Sequence, residues 1–390
     1  MDPISNPYRP GAGTKPLILA GRAKVIEKAV ILLARVKDGK PQRSLMLYGL
    51  RGVGKTVLLN EFEQLARLQK YIVEHIEVSE SDDFHSIIAR TFRRILLRID
   101  SVENVKSQAF KALRVLKAFT VTLPDGPELR LNVDALMGEA DSGNFEKDLT
   151  DIVVNVGETS RQEEKPICIL IDEAQYLKES DFAALIAASH RISQLGLPLL
   201  FICAGLPHIA ALSGEAKSYA ERLFEFIPVQ NLDDEEARLA ITEPASTLSV
   251  EYEPEAVSEL VKITEGYPYF IQEFGKTVWD FAKQSPITKS DVSVAKAKTL
   301  SVLDKSFFKV RLDRATSSEK DLMKHMAMLG KGPYKMGDVS QKMDRKIESL
   351  GPIRATLIGK GFVFSPEYGI IDFTVPQFDA FLRRFFQLGT

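Results

Sequence analysis

The sequence has little of several features that would place it in particular protein classes. It has only two cysteines, Cys168 and Cys203, each inside an apolar strand-like run. This argues against a disulfide scaffold and predicts reduced core thiols. The five histidines show no metal-ligand spacing. No apolar run approaches a membrane span, and residues 1–5 have neither the basic nor the apolar part of a signal peptide. These absences predict a cytoplasmic protein without a membrane partner.

The chain does have the size and composition of a globular protein with more than one domain. Its 390 residues suggest two or three domains, and a hydrophobic fraction of 45% is enough for a sizeable core. The net charge of −2 is unevenly spread, since residues 305–390 carry 15 Lys and Arg against 9 Asp and Glu. A basic C-terminal region on an acidic body is expected when one domain meets a polyanion.

The sequence is organised around the stretch 49–56, which has the spacing G-x-x-x-x-G-K-T. An apolar run at 45–48 precedes it and a helical pattern follows it, so the stretch has the context of a P-loop. Glycines at these positions let backbone N–H groups surround a phosphate that no Cβ could approach. We expect Lys55 to reach the β- and γ-phosphates and Thr56 to bind Mg²⁺. The residues predicted here to bind the nucleotide are Gly49, Gly52, Val53, Gly54, Lys55, Thr56 and Val57.

A second acidic motif follows the P-loop at a workable distance. Residues 166–171 form an apolar run that ends in Asp172 and Glu173. An all-apolar strand is typical of a central parallel sheet, and two carboxylates at its end have the Walker B form. We expect Asp172 to hold Mg²⁺ indirectly and Glu173 to orient or deprotonate the attacking water. A strand that merely ends in an acidic turn is the simpler interpretation, and the upstream P-loop disfavours it.

These motifs predict an α/β fold with a parallel sheet, a helical lid and a terminal domain. The expected parts are an extended segment at 1–17, a nucleotide-binding base at 18–232, a lid at 233–303 and a C-terminal module at 304–390. Residues 100–146 fit the base poorly and are interpreted as an insertion. Alternating residues at 119–123 and 128–133 predict a β-hairpin there. This hairpin is either a contact arm or a passive decoration.

The C-terminal module has the pattern of a winged helix. A capping box at Thr316–Glu319 starts the first of three predicted helices, and a hairpin follows over 362–373. The third helix of such a domain would enter the major groove of double-stranded DNA. Winged helices also dock proteins, so the fold alone does not settle the partner. The cations proposed to contact DNA are Lys346, Arg354 and Lys360.

Together these motifs resemble the AAA+ and STAND classes of P-loop ATPase. The resemblance rests on the P-loop, on Asp172 and Glu173, on Arg222 before a predicted strand, on Gly266-Tyr267-Pro268 and on the winged helix. The three-part layout is similar to the origin-recognition type of replication initiator. The resemblance implies ATP and Mg²⁺ as cofactors, ATPase activity and a P-loop NTPase fold with a parallel sheet.

The resemblance also implies roles for residues outside the two motifs. Gly21 and Arg22 would lie near the adenine, although an ordinary helix start explains them equally well. Arg222 would be an arginine finger that reaches the γ-phosphate of a neighbouring subunit, or simply a cation that is favourable at a helix end. Pro268 would open the lid helix. The family's polar sensor is missing from 203–207, and its second sensor arginine is missing from the lid helix, which favours slow hydrolysis.

Three functions remain open from the sequence. The first is an ATP-driven switch that binds double-stranded DNA, with a homo-oligomer or a partner protein as a further expectation. The second is a STAND-type signalling or assembly ATPase of a defence or mobile-element system, whose winged helix binds a protein. The third is an inactive nucleotide-binding scaffold, which the intact Lys55, Thr56, Asp172 and Glu173 argue against.

Overall fold

The computed structural model describes residues 1–99, 107–122, 133–209 and 220–388. The chain forms two compact units. The sheet unit consists of Arg22–Gly49 and Lys55–Val229, and the helical unit consists of Met1–Gly21, Leu50–Gly54 and Gln230–Thr390. Within the described ranges, no helix is both long enough and apolar enough to cross a bilayer.

The sheet unit is built on a five-stranded parallel sheet, which confirms the predicted α/β fold. Its strands are β1 (Ser44–Tyr48), β2 (Ile72–Glu77), β3 (Ile167–Asp172), β4 (Leu199–Gly205) and β5 (Phe224–Pro228). Their order across the sheet is β2-β3-β4-β1-β5. Every residue of β3 and β4 is buried, because helices cover both faces of the sheet centre. The loop after β1 therefore leaves the sheet beside the end of β4, where ligands of open parallel sheets bind.

Seven described helices belong to the sheet unit. They are α1 (Ala23–Lys37), α2 (Lys55–Leu68), α3 (Phe84–Ile99), α4 (Ser107–Thr122), α5 (Phe145–Gln162), α6 (Glu179–Leu195) and α7 (Ala220–Leu223). Aliphatic and aromatic side chains of α3 to α6 join those of the strands in one core. This core fixes the strand ends from which the candidate site is built.

The hairpin predicted in the insertion is wrong in its first strand. Residues 119–122 form the last turn of α4, and Phe119 is fully buried. The alternation of Phe119, Thr120 and Val121 expresses only a local preference for β structure, and packing of α4 against α3 and α5 overrides it. Most of the predicted second strand, at 128–133, lies outside the described residues.

Four helices of the helical unit lie in the range 233–303, where the sequence predicts a helical lid. They are α8 (Asp234–Ser246), α9 (Pro254–Thr264), α10 (Pro268–Phe281) and α11 (Lys289–Val302). Capping boxes at Asp233 and Thr288 satisfy backbone N–H groups at the starts of α8 and α11. A π-helical turn, Leu303–Phe308, and a short helix, α12 (Lys309–Asp313), follow without a break in the chain.

The N-terminal segment packs onto these helices within the same unit. Tyr8 is 3% exposed, and its hydroxyl lies 2.7 Å from that of Tyr252. The ring of Tyr8 occupies the space that a side chain at Gly275 would need. The indole N–H of Trp279 donates to the carbonyl of Asp2 at 2.9 Å. The predicted extended segment is therefore held by buried aromatic contacts.

The C-terminal module alternates helices with three short strands. The elements are α13 (Ser317–Met328), β6 (Tyr334–Lys335), α14 (Met336–Lys342), α15 (Ile347–Gly359), β7 (Val363–Phe364), β8 (Ile370–Phe373) and α16 (Phe378–Phe385). The strands form an antiparallel sheet in the order β6-β8-β7. The capping box at Thr316 and Glu319 is present. Strand β6 has two residues, too few for a period-two pattern to reveal it.

Candidate nucleotide site

The two inner glycines of the P-loop have positive φ angles for different reasons. Gly54, with a φ of 99°, faces open space, since a Cβ placed there would meet nothing within 4 Å. Gly52, with a φ of 78°, lies against a neighbour, since a Cβ there would overlap the hydroxyl of Tyr267. L-residues rarely adopt such angles, so glycine is required at both positions. The open face at Gly54 is the cradle that a phosphate needs.

Lys55 is the first residue of α2 and is only 6% exposed. Its ammonium donates a hydrogen bond of 2.9 Å to the carbonyl of Gly49. Helix α2 directs its N-terminal N–H groups and positive dipole end toward the same loop. Lysine rarely lies buried, and a cation at a helix N-terminus is disfavoured by the helix dipole, so this arrangement favours a bound anion.

Thr56 and Asp172 meet as the two motifs predicted. The Thr56 hydroxyl donates to Oδ2 of Asp172 at 2.6 Å, and Asp172 is 3% exposed at the end of β3. Hydroxyl and carboxylate oxygens are the ligands that Mg²⁺ prefers. The pair therefore fits Mg²⁺, the metal that the fold implies. Thr56 would be a direct ligand, and Asp172 would hold the ion indirectly, through hydrogen bonds.

Glu173 leaves the strand in a left-handed conformation, with φ and ψ angles of 52° and 36°. Its own N–H donates to Oδ1 of Asp172 at 2.8 Å. A left-handed conformation is uncommon for a residue other than glycine, and such residues cluster at functional sites. The Glu173 carboxylate accepts a hydrogen bond from the side-chain amide of Gln175.

Within the helical unit, Tyr267 touches the P-loop backbone. Its hydroxyl donates to the carbonyl of Arg51 at 2.7 Å, and the residue is 1% exposed. The preceding Gly266 has a φ of 66°, and a Cβ there would overlap the carbonyl of Leu232. Pro268 follows as the first residue of α10 and suits that position because its φ is already helical. The tripeptide therefore places a tyrosine at the P-loop, and the role of Pro268 at the nucleotide stays a prediction.

Arg311 is a cation near the P-loop that the sequence did not reveal. Burial lowers the pKa of its guanidinium to about 10, and the nearby charges of Arg51 and Arg314 act in the same direction. The group remains charged at neutral pH. The guanidinium lies 5.4 Å from the ring centre of Phe307, which places it against an aromatic face. No sequence pattern would connect a single arginine with a P-loop so distant in the chain.

The remaining residues predicted at the nucleotide lie as follows. Gly21 has a φ of 69°, and a Cβ there would overlap the carboxylate of Glu236. Arg22 caps the N-terminus of α1 without a side-chain hydrogen bond to it. Val53 is buried, Val57 lies in the first turn of α2, and Arg222 is exposed in the residues before β5. Their roles remain predictions.

The three cations predicted to contact DNA have different surroundings. Lys346 is exposed immediately before α15. Arg354 donates to the Ser365 hydroxyl at 2.6 Å, which ties α15 to the hairpin. The ammonium of Lys360 donates to both carboxylate oxygens of Glu319 at 2.9 Å. Glu319 is only 3% exposed, so Lys360 neutralises a buried charge inside the module.

Two family models match parts of the chain. Residues 18–202 match the family described as AAA ATPase domain. Residues 305–382 match DUF8462, a domain of unknown function. No curated protein sequence gives a significant match.

Two solved structures resemble nearly the whole chain. The Walker-type ATPase PABY2304 of Pyrococcus abyssi has a TM-score of 0.59 and 15% identity, and covers 96% of this chain and 98% of its own. The Aeropyrum pernix ORC2 protein, solved as ADPNP and ADP complexes, has a TM-score of 0.56 and 15% identity, with coverages of 97% and 96%. These likenesses confirm the predicted AAA+ P-loop fold.

Proposed function

We infer from the AAA ATPase domain at residues 18–202 that the chain is an ATP-driven switch, which hydrolyses ATP slowly and thereby controls the C-terminal module. We propose double-stranded DNA as the partner of that module. The intact Walker residues support the nucleotide part of this proposal. The contacts of Tyr267 support the coupling, and exposed cations support the choice of partner.

The sheet unit supplies the groups for hydrolysis. Backbone N–H groups at the start of α2 would bind phosphate oxygens. The ammonium of Lys55 would give up its hydrogen bond to the Gly49 carbonyl and bind the β- and γ-phosphates instead. A Mg²⁺ held by Thr56 would neutralise phosphate charge when bound. The Glu173 carboxylate would accept the proton of the water that attacks the γ-phosphorus, while ADP leaves with the bridging oxygen.

The exposed Arg222 fits slow turnover by an isolated chain. It lies at the end of α7, where it is open to solvent. If Arg222 stabilises transition-state charge on the γ-phosphate of a neighbouring copy, an isolated chain would lack this stabilisation. We therefore propose that hydrolysis accelerates on self-association.

The observation that carries the switch is the bond between Tyr267 and the P-loop carbonyl of Arg51. Tyr267 stacks edge-on against Phe270 at 4.7 Å, and Phe270 against Phe308 at 5.9 Å. Phe308 in turn stacks on Phe381 of α16 at 5.2 Å. A P-loop that moves to accept a phosphate would therefore act on a continuous aromatic column that ends in the C-terminal module. Closely packed side chains have discrete arrangements, so such a column would switch between distinct states.

The order of elements in the C-terminal module supports the proposal of a winged helix. A helix, a strand, two helices and a two-stranded hairpin follow one another, with α15 in the place of the recognition helix. Lys342, Arg345 and Lys346 lie exposed within five residues before α15. Cations at that point would contact the DNA backbone and position the helix.

A protein partner is the second candidate, and the surface of α15 favours it. Its exposed residues are mostly small, and they include Gly351, Ala355 and Gly359, while Glu348 adds a negative charge. Two of the predicted DNA cations, Arg354 and Lys360, are held by partners inside the module. Such a face fits close packing against another protein surface better than base readout.

One set of measurements tests both parts of the proposal. Lys55→Ala should abolish ATP binding in a calorimeter, whereas Lys40→Ala, a matched exposed lysine, should not. Glu173→Gln should bind ATP and fail to hydrolyse it. Binding of a generic 30-base-pair duplex, measured by fluorescence anisotropy, should differ between the ATP-bound Glu173→Gln protein and the nucleotide-free protein. Duplex binding that is undetectable in both states would overturn the DNA proposal and leave the protein partner.

A further inference from the structure

The carboxyl end of β4 lacks a polar side chain of its own, and another residue fills the position. The strand ends in Ala204 and Gly205, both buried. Gln175, on the 3₁₀ turn that follows Glu173, reaches this point and is 9% exposed. The side-chain amide of Gln175 is therefore the polar group at the end of β4.

Two hydrogen bonds fix the orientation of this amide. Its Oε1 accepts from the N–H of Leu206 at 3.0 Å, and its Nε2 donates to the Glu173 carboxylate. A backbone N–H can only donate and an ionised carboxylate can only accept. Both partners thus select the same assignment of oxygen and nitrogen, and neither would tolerate a flipped amide.

The absence of a side chain at Gly205 makes room for Gln175. A Cβ at Gly205 would lie 2.9 Å from Oε1 of Gln175 and 2.8 Å from Cδ1 of Ile209. The φ of Gly205 is not in the left-handed region, so backbone conformation alone does not demand glycine. The glycine is needed for space, and Gln175 occupies the volume that a β4 side chain would otherwise take.

We propose that Gln175 is a positioning residue for ATP hydrolysis, which orients the Glu173 carboxylate and replaces the missing polar side chain of β4. This inference rests on the proposed function, since it assumes that Glu173 receives a proton from the attacking water. A donor on one carboxylate oxygen limits rotation of the group and so fixes the direction in which it would meet the water. Misplacement of a catalytic group by about 1 Å can cost about 100-fold in rate, so such a restraint is expected to matter.

The test separates orientation of Glu173 from support of the turn. Gln175→Leu removes both hydrogen bonds with little change in size. Gln175→Glu keeps an acceptor for Leu206 but removes the donor to Glu173. Gln194→Leu, an exposed glutamine on α6, is the matched control. Each full-length protein is assayed for kcat and KM, for the Kd of a non-hydrolysable ATP analogue, and for its melting temperature.

We expect kcat to fall about 10- to 100-fold in both Gln175 variants, with the analogue Kd changed less than about threefold. The control should match the wild type. A kcat for Gln175→Glu near that of the wild type would show that only the bond to Leu206 matters and would overturn the inference. A parallel loss of analogue binding in both variants would also overturn it, because the residue would then shape the pocket.

Glu173→Gln distinguishes this failure from failure of the proposed function. Wild-type turnover by Glu173→Gln would overturn the assignment of the base, and the inference with it. A block in Glu173→Gln together with normal turnover in both Gln175 variants would overturn the positioning role alone.

Discussion

The hydroxyl of Tyr267 donates a 2.7 Å hydrogen bond to the main-chain carbonyl of Arg51. The same hydroxyl occupies the space that a side chain at Gly52 would need. We expect Tyr267→Phe to weaken the response of the C-terminal module to ATP while ATP binding persists. The lost bond should lower the free energy of unfolding by about 1 kcal/mol. The measurement is the ratio of partner affinity with and without ATP.

Tyr269→Phe is the control for this prediction. Tyr269 lies two residues away on α10, and its hydroxyl bonds at 2.7 Å to Glu273 of the same helix. Its loss removes a similar hydrogen bond without touching the P-loop. An unchanged ATP response in Tyr267→Phe, or an equal loss in both variants, would contradict the role of Tyr267 as the link.

The only tryptophan reports whether the N-terminal segment is docked. Trp279 is 2% exposed and bonds to Asp2, and the ring of Tyr8 packs in the same cluster. Tyr8→Ala should leave a cavity and lower the free energy of unfolding by about 3 kcal/mol. It should also shift the fluorescence emission of Trp279 to longer wavelength, because water would reach the indole.

Tyr368→Ala supplies the comparison for this tyrosine. Tyr368 is fully exposed in the turn between β7 and β8. Its removal should change neither the emission of Trp279 nor the midpoint of denaturant unfolding. An emission spectrum that Tyr8→Ala leaves unchanged would show that the segment does not shield the indole in solution.

Much of the site could be predicted from the sequence because its main groups are local in the chain. The P-loop is one stretch, and Asp172 and Glu173 end one apolar strand. The motifs assigned Thr56 and Asp172 to one Mg²⁺ site, and the hydroxyl of Thr56 does contact Asp172. The parallel sheet followed from the same apolar runs. The confirmed AAA+ fold therefore rested on patterns shorter than ten residues.

The groups that escaped prediction depend on contacts between distant parts of the chain. Gln175 matters because β3 and β4 are neighbours and because Gly205 leaves a gap. Arg311 approaches Arg51 across about 260 residues of sequence. The last turn of α4, at residues 119–122, was predicted wrongly for the opposite reason, since the local pattern there favoured a strand and tertiary packing favoured a helix. Local patterns gave the motifs, and only the fold gave their supporting residues.

The cations before α15 provide a charge-based prediction. Replacing Lys342, Arg345 and Lys346 by alanine should weaken binding of duplex DNA and reduce its salt dependence. If each cation contacts one phosphate, the slope of log affinity against log salt should fall by about 2 to 3. Fluorescence anisotropy at several salt concentrations measures this slope.

The matched control removes three exposed lysines of the lid, Lys283, Lys289 and Lys298. It changes the net charge of the chain by the same amount. An equal fall of the slope in both triple variants would indicate a general charge effect and would contradict a DNA contact at the start of α15.

The ion pair between the buried Glu319 and the partly exposed Lys360 predicts a pH dependence of the C-terminal module. Burial by itself would raise the pKa of the Glu319 carboxyl, but hydrogen bonds from Lys360 and Thr316 hold it below its ordinary value. A carboxyl with a lower pKa in the folded state stabilises the fold above its unfolded pKa, and this stabilisation is lost as the pH falls through the folded pKa. The module should therefore loosen as the pH falls through this lowered pKa.

Glu319→Gln tests this dependence, since glutamine has nearly the same shape and does not titrate. The variant should lose about 1.5 to 3 kcal/mol of local stability at pH 7, because a charged hydrogen-bonded partner of Lys360 is removed. The difference from the wild type should shrink at acidic pH, once the pH has fallen through the lowered folded pKa of Glu319 and the wild-type carboxyl has lost its charge. Hydrogen exchange of the α13 amides, corrected for intrinsic rates, measures both values. Glu348→Gln, at an exposed position on α15, is the control and should show neither effect. A loss of local stability in Glu319→Gln that is equal at both pH values would contradict the prediction.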